Sequence, residues 1–457
     1  MTLDEEQAFA QLRGENAELR QQLAVAIERI SELEAQLNQR GDPPAFVKPN
    51  RQKATGEPQL RKKRAAEHNT SRKRMVPTRI ERHALERCPE CAYRLSGESL
   101  DYSREVVELP PPPPVEVIEH QVVKRWCPHC ARWRSPQLDL TGQVFGQGRI
   151  GVRIASVVAY LRTTLRLSVR LVQSYLQTLH GLHLSIGEIA ELAHAVRQHL
   201  QPLTAQLKRA VQASPVVHGD ETGWRENGQN GWAWAFVTAG PAAVRYYEYD
   251  PGRSHLVPQR VLGPDWRGCL VTDFYAAYNL IPGRHQRCWV HLLRDLHALK
   301  AAPAATTEVL AWAAAVRQLY DDAQTWLTAH PAPSAAARTQ QYQRLHDRIC
   351  RLGQQYAQTP THPCAVLAKR LLRHQDELFQ FVLLPEVPAD NNLAERSIRP
   401  LVVLRKISGG SRSANGTNTR FCLASVFGTW QARRLNPLTE CLRALQLPQS
   451  ACAPAPT

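Results

Sequence analysis

Long apolar runs are missing from this sequence. No stretch reaches the roughly 20 apolar residues that span a bilayer, and the richest candidate, IASVVAYL, is short and flanked by arginines. No secretory leader is expected either, since the opening MTLDEEQAFA is acidic and has no apolar core segment. The expectation is therefore a cytoplasmic protein without a membrane partner, whose eleven cysteines stay reduced rather than forming disulfides. Acidic residues are scarce relative to basic ones, 41 against 57, leaving a formal net charge of +16. Such a surplus points to a polyanionic partner, with DNA or RNA the default and simple solubility the alternative. No internal repeat is evident. The hydrophobic content of 43% is enough for sizeable cores and excludes global disorder, and 457 residues suggest about three domains.

Residues 9–37 carry a heptad pattern: Phe9, Asn16, Leu23, Ile30 and Leu37 in one column, Leu12, Leu19, Ala26 and Leu33 in the other. This predicts a coiled coil over 1–40, with Asn16 favouring a parallel dimer in one register; the alternative is a lone amphipathic helix. Residues 41–80 follow with Lys62, Lys63, Arg64, Arg72, Lys73 and Arg74 in little apolar company. They read as a disordered basic arm that binds phosphate without reading sequence, or as a solvated linker. Between CPEC and CPHC, the alternating valines of REVVELPPPPPVEVIEHQVVKRW predict strands either side of a proline-rich turn. Residues 141–212 predict helices, with a turn closed by Gly181. A helix-turn-helix reader of DNA fits, as does any helical hairpin. From 213 to 300, three strands of an antiparallel meander precede a short helix, the strand GCLVTD, and a further strand leading into a helix. Residues 301–385 read as a helical insertion, 386–430 as the return to the core, and 431–457 as a C-terminal helix and tail.

Two chemistries stand out. Cys88, Cys91, Cys127 and Cys130 form two pairs with the spacing of zinc knuckles, and four thiolates would close a structural Zn²⁺ site with no open position for catalysis. The second is carboxylate chemistry. Asp220 ends the strand PVVHGD and Asp273 ends GCLVTD in the same way, so neighbouring strands would bring both carboxylates to one sheet edge to share a divalent ion. Two such ions activate the attacking oxygen and stabilise the leaving one in phosphodiester displacement. Glu395, in PADNNLAERSIRP, is a candidate third acid; Asn392 and Glu395 have capping-box spacing, so the residue equally reads as a helix cap paired with Arg399. Asp390 is the rival third ligand. Arg396, Arg399 and Lys406 are candidate phosphate contacts.

These motifs together resemble the transposases of the insertion sequence 66 family. The resemblance is carried by GDETGW with GWAWAF, TDFYAAY, CWVHLLRDL, and DNNLAERSIRPLVVLRKISGGSRS, preceded by the heptad segment and CPEC…CPHC. It implies a multidomain α/β protein with an RNase H-like core, a mixed sheet with flanking helices, interrupted by the helical insertion. It also implies Asp220, Asp273 and Glu395 as catalytic acids holding two Mg²⁺ or Mn²⁺ ions. Strand cleavage at element ends and transfer into target DNA follow, with a homodimer or higher oligomer and small accessory proteins as partners. The protein would associate with the nucleoid when bound to DNA. Two other readings are a dimeric zinc-ribbon DNA-binding regulator and a nuclease of the same fold. Asp295 stands where a basic or aromatic residue is expected, and structural roles are expected for His218 and Glu221.

Overall fold

A computed structural model describes residues 18, 21–23, 74–146, 148–303 and 305–448. The coiled-coil expectation lies outside these apart from four helical residues, as does the basic arm up to residue 73. The chain divides into two compact units, residues 1–109 and 110–457. In the first unit Cys88 and Cys91 sit on a turn closed by Ala92 N donating to Cys88 O at 2.9 Å, with Ala92 at φ 58°. The second unit holds the matching turn, between β1 (Arg125–Cys127) and β2 (Arg132–Arg134), with Ala131 at φ 47°. The strands expected across 104–124 do not form; only β1 and β2 pair, in register Arg125↔Arg134. Five consecutive prolines donate no ladder hydrogen bonds, and Val106, Val107, Val117 and Ile118 stay exposed with no second layer to cover them.

Three helices follow: α1 (Val152–Thr163), α2 (Val169–His180) and α3 (Ile186–Gln212). Gly181 ends α2 at φ 64°, the left-handed cap expected of it, and Ser185 with Glu188 forms a capping box that starts α3.

The sheet of the second unit has the order β5-β4-β3-β6-β7. Strands β3 (Val216–Glu226), β4 (Gln229–Val237) and β5 (Arg245–Asp250) form the expected antiparallel meander. After α4 (Leu256–Leu262), β6 (Cys269–Thr272) and β7 (Arg284–Arg287) join parallel to β3, making the sheet mixed. Period-2 alternation buries both faces. Trp234 and Phe236 pack with Leu200, Leu207 and Val211 of α3, while Ala233, Ala235 and Val237 meet Ala394, Ile398 and Leu401 of a later helix.

Helices α5 (Trp289–Ala301), α6 (Thr307–Ala329), α7 (Ala335–Ala357), α8 (Ala365–Arg373) and α9 (Gln380–Leu383) supply the predicted helical stretch. Their core is continuous with Cys269 and Val271 of β6. Polar contacts fasten the insertion to edge strand β7: Phe381 N donates to Gln286 Oε1 at 3.1 Å, and buried Arg287 pairs with Glu377. The chain then returns through α10 (Asn392–Ser408), α11 (Ala414–Ala432) and α12 (Pro437–Gln446). Among the described residues no helix is long and apolar enough to cross a membrane.

Candidate active site

The sheet supplies two of the three acids through its register. Pairing of β3 with β6 runs Val216↔Cys269, Val217↔Leu270 and His218↔Val271. Continued by two residues, that register sets Asp220 opposite Asp273, at the point where β6 ends and β3 goes on with β4 alone. Adjacent strands lie about 4.8 Å apart, so the two carboxylates emerge side by side. Gly219 keeps the approach close: a Cβ there would come within 3.1 Å of the Tyr278 ring and 3.3 Å of Thr272 Cγ2. Arg287 Nη1 holds the Asp273 carbonyl at 2.9 Å, and Asp273 Oδ1 accepts from Tyr275 N at 2.9 Å.

Glu395 comes from the first turn of α10. The capping box expected from Asn392 and Glu395 is not made. Asp390 Oδ1 instead accepts from Asn392 N at 2.9 Å, which uses one oxygen of the rival third ligand for helix entrance. Asn391 turns inward, where it is 1% exposed: Nδ2 donates to Gly219 O at 2.7 Å, Oδ1 meets His218 Nδ1 at 3.2 Å, and its backbone N donates to Cys288 Sγ at 3.2 Å. One side chain thus joins the helix bearing Glu395 to the strand bearing Asp220. Glu395 pairs with no Arg399; its Oε1 lies 3.8 Å from His291 Nδ1, and both atoms are buried without a hydrogen-bond partner. Cys288, His291 and Glu395 bring ligand atoms within 4.8 Å of one another. Cys288 is the weakest of the three as a ligand, because burial pushes its thiol up and its sulfur already accepts from Asn391.

The electrostatics fit a cation. Burial first, then the charges of Glu221, Asp273 and Glu395, pushes the Asp220 carboxyl up to about 8. Among the described residues no lysine or arginine pairs with Asp220, Asp273 or Glu395. Glu221 differs: its side chain is 2% exposed and accepts from Arg253 and from Tyr278 OH, each at 2.5 Å, so it is a satisfied structural acid. His218 is held down at about 4 by burial and stays neutral as a partner of Asn391. Acidic oxygens without a lysine or arginine partner, Glu395 Oε1 unbonded among them, suit a hard divalent ion, but the described residues whose ligand atoms come within 4.8 Å of one another are Cys288, His291 and Glu395, not the three acids.

The candidate phosphate contacts separate. Arg396, Arg399 and Lys406 are exposed on α10. Arg74 bonds Ser103 Oγ at 2.8 Å in the first unit, while Lys62, Lys63, Arg64, Arg72 and Lys73 lie outside the described residues. Asp295 pairs with Arg370 and takes no part in the acid cluster. Sequence reasoning missed Asn391 as a clamp, Arg287 as a support and His291 as the neighbour of Glu395; only the CWVH motif hinted at the last. In each cysteine pair the leading thiol is lowered by a backbone N–H, from Cys91 to Cys88 and from Cys130 to Cys127, the donor pattern of a thiolate knuckle.

The chain is similar to known proteins over parts of its length. "Uncharacterized protein y4jO" of Sinorhizobium fredii is 29% identical over 161 residues, 35% of this chain and 47% of its own. "Uncharacterized protein y4qI" of the same organism is 26% identical over 237 residues, 45% of this chain and 42% of its own. The matches thus span less than half the length of either relative. A family model described as "Transposase IS66 family" matches residues 147–419, which run from the helices before the sheet through all three acids and into α11. That match covers more than half of the chain, and the protein belongs to the IS66 family of transposases.

Proposed function

We propose that the chain is a DNA transposase of the DDE type, cutting one strand at each element end and joining the freed end to target DNA. The observation that carries this reading is the β3–β6 register, which levels Asp220 with Asp273, together with Asn391, which ties the helix bearing Glu395 to the strand bearing Asp220. The sheet order, in which only β4 runs antiparallel to central β3 while β5, β6 and β7 run parallel to it, supports an RNase H-like core. Asp220, Asp273 and Glu395 would hold two Mg²⁺ or Mn²⁺ ions, which supply Lewis-acid activation of the attacking oxygen and stabilisation of the leaving one.

The chain's own groups do the positioning. Asn391 fixes the Glu395 helix against the Asp220 strand, Arg287 fixes the backbone at Asp273, and His291 lies beside Glu395. Water displaces the 3′ oxygen at the element end, freeing a hydroxyl; that hydroxyl then attacks a target phosphodiester, forming one P–O bond as another breaks. No covalent link between protein and DNA is required. Exposed Arg396, Arg399 and Lys406 would meet backbone phosphates. Cys88, Cys91, Cys127 and Cys130 would hold a structural zinc ion, and the heptad segment would pair two protomers.

A cell-free reaction with Mg²⁺, element-end DNA and a target plasmid tests the reading. Asp220→Asn, Asp273→Asn and Glu395→Gln should each lower cleavage by at least about a thousandfold while DNA binding persists. Joined products from pre-cut ends separate a transposase from a nuclease. Cleavage that survives Asp273→Asn would remove the acid cluster from the chemistry.

A further inference from the structure

A cavity of about 580 Å³ lies in the second unit, between the helices that precede the sheet and the final helices. None of Asp220, Asp273 or Glu395 lines it. Its basic lining is Arg162, Arg166, Arg412, Arg420 and His194, with no aspartate or glutamate at all. Arg162 Nη1 donates to Leu167 O at 2.7 Å, and His194 Nδ1 meets Thr419 Oγ1 at 2.6 Å. Arg420 has no hydrogen-bond or ion-pair partner among the described residues, and burial followed by the charge of Arg162 pulls its guanidinium down to about 10. Arg166 holds φ 60°, a left-handed backbone that a branched or long side chain adopts at a cost. The rest of the lining is largely apolar and includes Leu404, Ile407 and Phe427, with Phe427 about two turns from Arg420 on the same helix.

Two guanidiniums that repel each other in a partly buried space are costly unless an anion joins them. The volume falls within the roughly 300–1,000 Å³ of small-ligand pockets and is far too small for a duplex. The required occupant has an anionic end for the arginines and a flat body for the apolar side chains beside them. We propose that this cavity binds one unstacked nucleotide of a DNA strand, phosphate toward Arg162 and Arg420 and base against Leu404 and Phe427. The choice of nucleic acid as ligand rests on the transposase reading above; the cavity would grip a strand away from the acids.

The test measures binding of a fluorescent single-stranded oligonucleotide to the full-length protein by anisotropy, across a salt series. Arg420→Gln should weaken binding about tenfold and reduce the log–log salt slope by about 0.7, the value for one lost phosphate contact on a single strand. Arg420→Lys should retain most of the affinity. Arg420→Gln should also unfold at the wild-type temperature or above, because it removes an unpaired charge. Should it not fold, exposed Arg412→Gln carries the same expectation for affinity and slope. Unchanged affinity and slope overturn the proposal, as does a lowered unfolding temperature with unchanged affinity. Micromolar inorganic phosphate or mononucleotide competing for the site overturns its assignment to a strand. Asp273→Asn separates the two readings: it should abolish cleavage and leave oligonucleotide affinity as in wild type, whereas Arg420→Gln moves affinity.

Discussion

Asn391 donates to a carbonyl 172 residues away in sequence, and that bond decides where Glu395 can be. The local spacing suggested a capping role for this stretch, but helix capping is taken by Asp390, which frees Asn391 to face inward. Asn391→Ala would leave the Gly219 carbonyl and His218 without their partner in a site with almost no water access. The expected cost is about 2–3 kcal/mol of stability, read as a lower thermal midpoint. Cleavage should fall at least about tenfold with DNA affinity held, since the acid cluster loosens while the phosphate contacts remain. Asp273 was legible because it ends a short apolar strand, whereas the strand expected to end at Asp220 runs on to Glu226, since β4 continues to pair with it there. Glu395 was not separable from an ordinary surface cap, because its neighbours His291 and Asp220 reach it only through the fold.

At the scale of elements, strands β3 and β6 need a small residue at their crossing with Tyr278. Gly219→Ala places a methyl 3.1 Å from that ring and 3.3 Å from Thr272 Cγ2, so the buried ring or the threonine methyl must give way by a few tenths of an ångström. A loss of about 1–3 kcal/mol is expected from chemical denaturation, with cleavage reduced because the acids are pushed apart. The junction of β7 with the helical insertion responds to pH. Burial works to raise the Glu377 carboxyl, but His374 and Arg287 outweigh it and hold it at about 2. A folded value below the unfolded one of 4.5 means that stability is fully present above 4.5 and is lost as pH falls from there toward 2. Glu377→Gln leaves Arg287 buried without its charge partner and should cost about 3–5 kcal/mol at neutral pH. The gap to wild type should narrow as unfolding is followed from pH 4.5 down to 2. Helices α2 and α3 were readable from their caps, Gly181 and the Ser185–Glu188 box, since those signals act within one turn. The strands expected across 104–124 failed for a complementary reason: alternation predicts a half-buried strand only where another layer exists to bury it.

For the whole molecule, the surplus of +16 and the exposed arginines of α10 imply binding that weakens steeply with salt. Each of Arg396→Gln and Arg399→Gln should lower the salt slope on duplex DNA by about 0.9, read from affinities at several ionic strengths. The cysteine pairs make a separate prediction. Metal analysis of the purified protein should find one zinc per chain, and Cys88→Ser or Cys130→Ser should remove it. Zinc loss should lower thermal stability without changing the Mg²⁺ requirement of cleavage, because a closed thiolate site offers no position to substrate.

Composition, local patterning and short motifs determined the two cysteine turns, the helices after residue 301, the meander and the strands that carry Asp220 and Asp273, all properties carried by neighbours in sequence. The tertiary structure alone decided that β6 adds parallel to β3 in a register that levels Asp220 with Asp273. It also decided that Asn391 clamps the third acid and that four arginines line a cavity without a carboxylate. Contacts between residues more than fifty positions apart depend on packing of whole elements, and no local spacing encodes which side chain will be left facing which.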